Sequence, residues 1–460
     1  MKQLSVFLLL CLSLASCRKD SFNTSPGATL NITTDKLTYD TVFTGTGSVT
    51  KSFKIINDNK QKIRINSVQL MGGANSSFSM NVDGLPGTNF SDLVIEGNDS
   101  LYVFVQVNVD PGAADLPFII EDSIQVTYNG NTRQVDLEAW GQNANFLRDE
   151  EITGTVTWTN NRPYVILGYL HVNEGAQLNI AKGCRIYLHA DAPIVIDGTL
   201  KTMGEKDSID RIWFRGDRLD DPYKNYPASW PGIFFTATSS NNELNFTNVL
   251  NAYQALVVDG PAINANPKLV LNECHVDNAY DVGLLAQNSS IAARNCLFSN
   301  SGKNVVVQHG GEYSFVHCTL VSIGNNFIPH KDPALSLYNY DENNSPAPLT
   351  ASFVNCIFWG ENGQPEDEVV IGKTGNTLFN VTFEFGLWKM SSVPAGVITT
   401  NMYTSSPGFV NTDASTGPYD FRLTEDSPAI DQGVASTLNL DLDGNPRPVG
   451  SPDLGCFERQ

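Results

Sequence analysis

The chain has 460 residues, 41% of them hydrophobic, and 29 Lys and Arg against 49 Asp and Glu give it a formal net charge of −20. That length exceeds what one hydrophobic core usually organises, so several domains, or a domain with an elongated solenoid, are expected. With no stripe of Lys or Arg to neutralise phosphates, the acidic balance argues against nucleic acid and against strongly anionic partners for the whole surface, leaving room for one local basic pocket.

Residues 1–17 read as a targeting segment. Lys2 supplies the positive start, Val6 to Leu14 the short apolar run, and Leu14-Ala15-Ser16-Cys17 small residues ahead of a cysteine. This resembles the lipobox of bacterial lipoproteins, which implies cleavage before Cys17 and a diacylglycerol on its thiol. Several acyl chains on one residue give stable membrane anchoring. No later stretch offers the roughly 18 uninterrupted apolar residues of a spanning helix. The expected address is the outer membrane, lipid-anchored, at the cell surface or the periplasmic face. Residues 18–27, rich in Ser, Asn, Thr, Pro and Gly, read as a tether.

From 28 to 145 the pattern is that of an immunoglobulin-like β-sandwich of about seven strands. Phe53 and Ile55, then Ile63 and Ile65, alternate with polar neighbours, and Leu101, Val103, Val105, Val107 and Val109 fall at every second residue. Ile124, Val126 and Tyr128 lead through Asn129-Gly130 into Val135, Leu137 and Ala139, a hairpin signature. The domain lacks the cysteine pair of antibody domains.

Between 150 and 405 the chain repeats. Cys274, Cys296 and Cys318 follow one another at intervals of 22 residues, and their neighbours keep register. Leu269, Leu271 and Val276 become Ile291, Ala293 and Phe298, then Tyr313, Phe315 and Leu320; Ala351, Phe353, Cys356 and Phe358 follow after a 16-residue insertion. Pairs two apart, separated by a step of three, are two short strands joined by a bend. Such units bury their apolar faces only by stacking, like on like at about 4.8 Å. The expected architecture is a right-handed parallel β-helix. The run Leu170-His171-Val172, Leu178-Asn179-Ile180, Ile186-Tyr187-Leu188 and Ile194-Val195-Ile196, with glycine at 168, 175, 183, 198 and 204, resembles the opening coils of bacterial pectate-lyase-like proteins. Trp230-Pro231-Gly232-Ile233-Phe234 is similar to the coil start that often follows in them.

Residues 406–460 bring another resemblance. Phe421-Arg422-Leu423, Ser427-Pro428-Ala429-Ile430-Asp431-Gln432-Gly433, Asp441-Leu442-Asp443-Gly444-Asn445-Pro446-Arg447 and Pro452-Asp453-Leu454-Gly455-Cys456-Phe457-Glu458 resemble the choice-of-anchor Q module. The resemblance implies an exported protein with a capped solenoid, and no catalysis. Arg447 is expected to pin this cap through Asp453 or Glu458. No cofactor is expected. Asp441, Asp443 and Asn445 put glycine at the fourth place, not the sixth, of a calcium loop, and the cysteine intervals lack the close pairs zinc needs. The cysteines of successive coils are expected to be a ladder of free thiols in the core rather than disulfides.

The chemical task is less legible. Against the motifs of polygalacturonase-like enzymes, Asp220-Asp221 stands too early, Gln308-His309-Gly310-Gly311 is not the histidine motif, and Trp213 follows Arg211-Ile212. The outward positions His275, Leu297, Thr319 and Ile357 are mostly apolar, unlike the carboxylate cluster of pectate lyases. Two loops are candidates for a ligand. Arg215, Asp217, Arg218, Asp220, Asp221, Tyr223, Tyr226 and Trp230 combine the carboxylates, guanidiniums and aromatics that grip sugar rings, or else pair with one another. His330 and Lys331, followed by Tyr338 and Tyr340, are the second candidate: a lysine beside tyrosines binds a glycan and serves a lyase as base and acid, or else the polar excursion caps a coil. The leading expectation is a membrane-anchored lipoprotein with a glycan-binding or interaction surface and no catalytic residue. A polysaccharide lyase or hydrolase with an unusual site, and a structural spacer, are the alternatives.

Overall fold

A computed structural model describes residues 21–43, 48–109 and 118–460, and the chain divides into two compact units, Met1–Asn143 and Ala144–Gln460. Cys17 and the lipobox lie outside the described residues. The regular structure described is strand, with two short 3-10 turns.

The first unit is a sandwich of two five-stranded sheets. One holds Asn31–Ile32, Lys51–Asn57, Phe78–Val82, Leu85–Pro86 and Asp99–Val107; the other holds Lys36–Phe43, Ile63–Leu70, Asn89–Ile95, Phe118–Tyr128 and Asn131–Gln142. Neighbouring strands run antiparallel except Lys36–Phe43, which lies parallel to Asn131–Gln142. The alternating residues of the sequence face inward, with Ile55, Ile63, Ile65, Val103, Val105, Val107, Val126 and Val135 all fully buried. Asn129 and Gly130 both take positive φ, and Tyr128 pairs with Asn131, the two-residue turn that the dipeptide encodes. The strands beyond the expected seven are short edge pieces such as Asn31–Ile32 and Leu85–Pro86, whose polarity gives no alternation to read.

The second unit is a parallel β-helix, a continuous succession of 24 strands in which each pairs with the strand one coil later. Three inward columns define its three faces. Leu170, Ile194, Ile233, Leu256, Leu284, Val305, Leu335 and Val369 stack on one. Leu271, Ala293, Phe315, Phe353 and Phe383 stack on the next, and Phe214, Val249, Val276, Phe298, Leu320 and Phe358 on the third. The rings of Phe315, Phe353 and Phe383 succeed one another at 5.1 and 4.7 Å, each contact contributing about 0.5–1.5 kcal/mol beyond area burial. The insertion between the third and fourth cysteine units divides between two corners, around Ile323–Ala334 and Asn339–Pro348, with the strand Leu335–Tyr338 between them.

Between the second and third faces the chain turns through one residue of positive φ per coil: Phe246, Glu273, Asn295, His317, Asn355 and Phe385. This is the step of three in the sequence repeat, and the cysteine follows it. Cys274, Cys296, Cys318 and Cys356 are buried free thiols. The amide one residue after each cysteine bonds to the carbonyl of the cysteine one coil earlier, as from Leu297 to Cys274 and from Thr319 to Cys296, both at 2.9 Å. Successive thiols are therefore held in one column, as expected.

The C-terminal segment lies along the flank of the coils. Its Phe421, Leu442, Cys456 and Phe457 pack on Leu297, Val321 and Ile323, and its Leu423, Ala429 and Leu454 pack on Ile357, Trp359 and Leu387. This cover explains why the outward positions of those strands are apolar. Arg447 is the pin. It pairs with Glu458 at 2.8 Å and reaches Asn295 Oδ1 on the corner column, also at 2.8 Å. Asp453 instead accepts from the amides of Asp431 and Arg459. Asn355, another corner residue, donates to Val434 O at 2.8 Å and accepts from Val434 N at 2.9 Å.

Candidate functional site

Ahead of the tail, the third face stays open. Strands Ile212–Gly216, Thr247–Leu250, His275–Asp277 and Leu297–Ser299 present two outward columns, Trp213–Asn248–His275–Leu297 and Arg215–Leu250–Asp277–Ser299. These eight side chains floor a groove of about 810 Å³. Asn225 and Phe327, from two corner loops, wall one side; Tyr419, Arg422, Asp443 and Phe457 of the tail wall the other. Parallel stacking produces the site directly, because residues distant in sequence fall on adjacent rungs.

The floor carries a bonded relay. Ser299 Oγ donates to Asp277 Oδ1 at 2.6 Å and takes a hydrogen bond from His275 Nε2 at 3.0 Å. Burial holds the His275 imidazole below its ordinary range, so it is neutral near pH 7. Ser299 is fully buried, and its hydroxyl is committed to a carboxylate. It therefore lacks the geometry of an activated nucleophile, in which the base accepts the serine proton. On the wall, Arg422 binds Asp443 through two nitrogens, both at 2.9 Å or less, and Asp420 at 2.9 Å. Each carboxylate lining the groove thus has a partner.

The first candidate loop sits at the rim and is largely self-satisfied. Arg218 pairs with Asp220 at 3.0 Å and lies over the Tyr223 ring at 3.6 Å, Asp221 pairs with Lys224, and Asp217 bonds His189 at 2.7 Å. Burial pushes the Asp217 carboxyl up, against the pull of His189. Trp230 is buried in the solenoid core with its Nε1 donating to Leu250 O, so its ring is not available to a ligand. Arg215 alone of this set reaches the groove floor. Tyr226 packs on Phe327 at 4.6 Å, and the chain Asn225–Asn278–Asn325 is hydrogen-bonded throughout, which joins this loop to the second one as a single wall.

The second loop separates its candidates. His330 is buried against Glu368 at 3.2 Å and Glu361 O at 3.1 Å. Gly360 and Gly363 leave the room for its ring, which a Cβ at either position would meet. Lys331 is exposed at the rim of a second cavity of about 660 Å³ that adjoins the groove beyond Tyr419, whose hydroxyl bridges to Gly324 O at 2.9 Å. Tyr338 and Tyr340 pack edge to face at 5.5 Å on another corner, away from both cavities. Trp213, Asn248, Asp277 and Ser299, absent from the sequence-based candidates, are the residues the fold assembles. Among the described residues no group of three or more His, Cys, Asp or Glu is arranged to hold a metal ion.

No family model and no curated protein matches the chain. Among solved structures it is similar to a family 123 glycoside hydrolase from Clostridium perfringens, described for glycolipid glycan hydrolysis, at 12% identity over 27% of this chain and 26% of that one, with a TM-score of 0.18. The E. coli chaperone DraB matches at 10% identity over 25% of this chain and 56% of its own, TM-score 0.18. A PapD-like domain of human CEP192 matches at 10% identity over 27% of this chain and 91% of its own, TM-score 0.18. The chain thus spans about a quarter of the hydrolase and little more than half of the chaperone, and at these scores the likenesses assign neither fold nor activity.

Proposed function

We propose that this chain is a lipid-anchored surface protein whose β-helix offers a glycan-binding groove without catalysis. The observation that carries this reading is the groove floor itself. It sets an aromatic platform, Trp213, beside amide, imidazole and guanidinium groups, the combination that holds sugar rings by stacking and by hydrogen bonds to hydroxyls. Binding rather than cleavage is supported by the state of the acids. Asp277, Asp420 and Asp443 each bond a neighbour, which leaves no free pair to divide the roles of acid and base or nucleophile. The lipobox resemblance at Cys17 supports the anchor.

A glycan array probed with the protein tests the reading. Retention of a defined set of oligosaccharides, lost by at least tenfold in Trp213→Ala, is the expected result. Release of new reducing ends or unsaturated uronates from a bound polysaccharide would make it an enzyme, and an empty array would leave the spacer.

A further inference from the structure

The last coil of the solenoid ends on an open strand. Val397–Tyr403 lies parallel to Phe379–Trp388, and among the described residues no strand pairs with its other side. Its far end turns a corner at Asn401, of positive φ, and is held by the C-terminal segment, where the Tyr403 hydroxyl donates to Gln432 at 2.8 Å. Residues 397–400 keep one row of backbone donors and acceptors without a strand to meet it. Val397 and Met402 lie against the core here and are only partly buried, while Val393 and Ile398 are 52% and 59% exposed.

An open edge of this kind is a template for another strand, and proteins ordinarily blunt it with charge or keep it very short. Every other described edge strand longer than four residues follows that rule. Lys36–Phe43 carries Lys36 and Asp40, Asn89–Ile95 carries Asp92, and Asn145–Ile152, which opens the solenoid, carries Arg148, Asp149, Glu150 and Glu151. By contrast, no Asp, Glu, Lys, Arg or His occurs from residue 390 to residue 412, in a chain whose net charge is −20. Copies of so acidic a chain repel one another over most of their surface and can meet where charge is absent. Pro394 and Pro407 bound the strand, so pairing at this edge stays short.

We infer that two copies of this chain join end to end through the last coil, residues 397–400 of each pairing antiparallel about a two-fold axis. Val397 and Thr399, which stack on the inward Val381 and Phe383, continue the inner face across the axis; Ile398 and Thr400 continue the outer. Such a contact uses the same patch on both copies and closes at two. Head-to-tail stacking, which would grow a fibre, is opposed by the charges along Asn145–Ile152.

Two measurements on the full chain decide it. In membranes of a bacterial host, Ile398→Cys treated with a short bis-maleimide is expected to give a cross-linked dimer, the parent chain, whose described cysteines are buried, serving as control. Solubilised in mild detergent, the parent is expected to sediment as a dimer at micromolar concentration. Ile398→Asp and Thr400→Asp set like charges across the axis at exposed positions. Each is expected to weaken self-association at least tenfold and to leave thermal unfolding unaltered. A monomeric parent, the absence of the cross-link, a dimer indifferent to both variants, or assemblies larger than two each overturns the inference. Cross-links from residue 398 to a different protein alone overturn it too, and make the strand's partner a foreign one. Should either variant misfold, the parent's mass and the cross-link still decide.

Discussion

Arg447 donates to the carboxylate of Glu458 at 2.8 Å, and both side chains are fully buried beneath the C-terminal segment. Such a pair adds little when compared with apolar residues of the same volume, but removing one partner strands the other charge away from water. Arg447→Met is therefore expected to cost about 3–5 kcal/mol, whereas Arg447→Met with Glu458→Leu recovers most of that loss. Urea unfolding followed by tryptophan emission reads mainly this unit, because five of the six tryptophans, Trp158, Trp213, Trp230, Trp359 and Trp388, lie in Ala144–Gln460 and the sixth, Trp140, is already exposed in the first unit. If the single variant is as stable as the parent, Arg447 does not hold the segment down.

His317 gives the solenoid a pH dependence. It is buried at the corner column, accepts from Asn355 Nδ2 at 2.9 Å, and burial, with the Arg447 charge nearby, lowers its pKa to about 3. Below about pH 6.5 the unfolded chain therefore takes up a proton that the folded chain refuses, and stability falls by about 1.4 kcal/mol per pH unit. The loss continues until the pH reaches the folded pKa. Burial pushes Glu273, Asp441 and Asp453 the opposite way, above the ordinary carboxylate range. Those acids favour the folded state as the pH drops toward 4, so the histidine term has to be taken by difference. Between pH 7 and pH 4.5, His317→Asn is expected to gain about 2–3 kcal/mol relative to the parent. Asparagine also tolerates the positive φ found there. Parallel curves for the two chains would show that His317 is not held neutral.

The solenoid was legible because its rule is local and repeated. One residue of positive φ before each cysteine fixes the step of three, and stacking then places Leu271 on Ala293 and Phe315 without further information. The groove was hidden because the coils that build it are irregular. Asn248 and Trp213 occupy the column of His275, but the preceding coils differ in length, so the 22-residue register cannot be carried back to them. Loop composition misled for a different reason. Arg218, Asp220, Asp221 and Tyr223 have the residue types of a sugar site, and proximity in sequence lets them satisfy one another. His330 and Trp230 belong to the interior, where Glu368 and Leu250 O meet their polar atoms.

The thiol column makes a chemical prediction. Cys184, Cys274, Cys296, Cys318, Cys356 and Cys456 are all buried and unbridged. Burial raises Cys274, Cys296 and Cys318 well above the ordinary thiol range and pushes Cys456 up to about 12. The reactive thiolate is therefore scarce as well as inaccessible. Mass analysis after alkylation is expected to find these six unmodified in the native protein and all six modified after unfolding without reductant. Peptides still joined after that treatment would mean that neighbouring rungs are disulfides.

The anchor is tested at Cys17. If its thiol carries the lipid, the protein sediments with membranes and takes up a clickable palmitate analogue in a bacterial host with lipoprotein processing. Cys17→Ser, which keeps the apolar run Val6 to Leu14 and removes the nucleophile, is expected to abolish labelling and to leave the protein unprocessed or shed. A plain secretory leader behaves otherwise, with release of soluble protein in both cases and no label in either. The distinction bears on the proposed function, since only a lipidated protein would be held stably at a membrane surface.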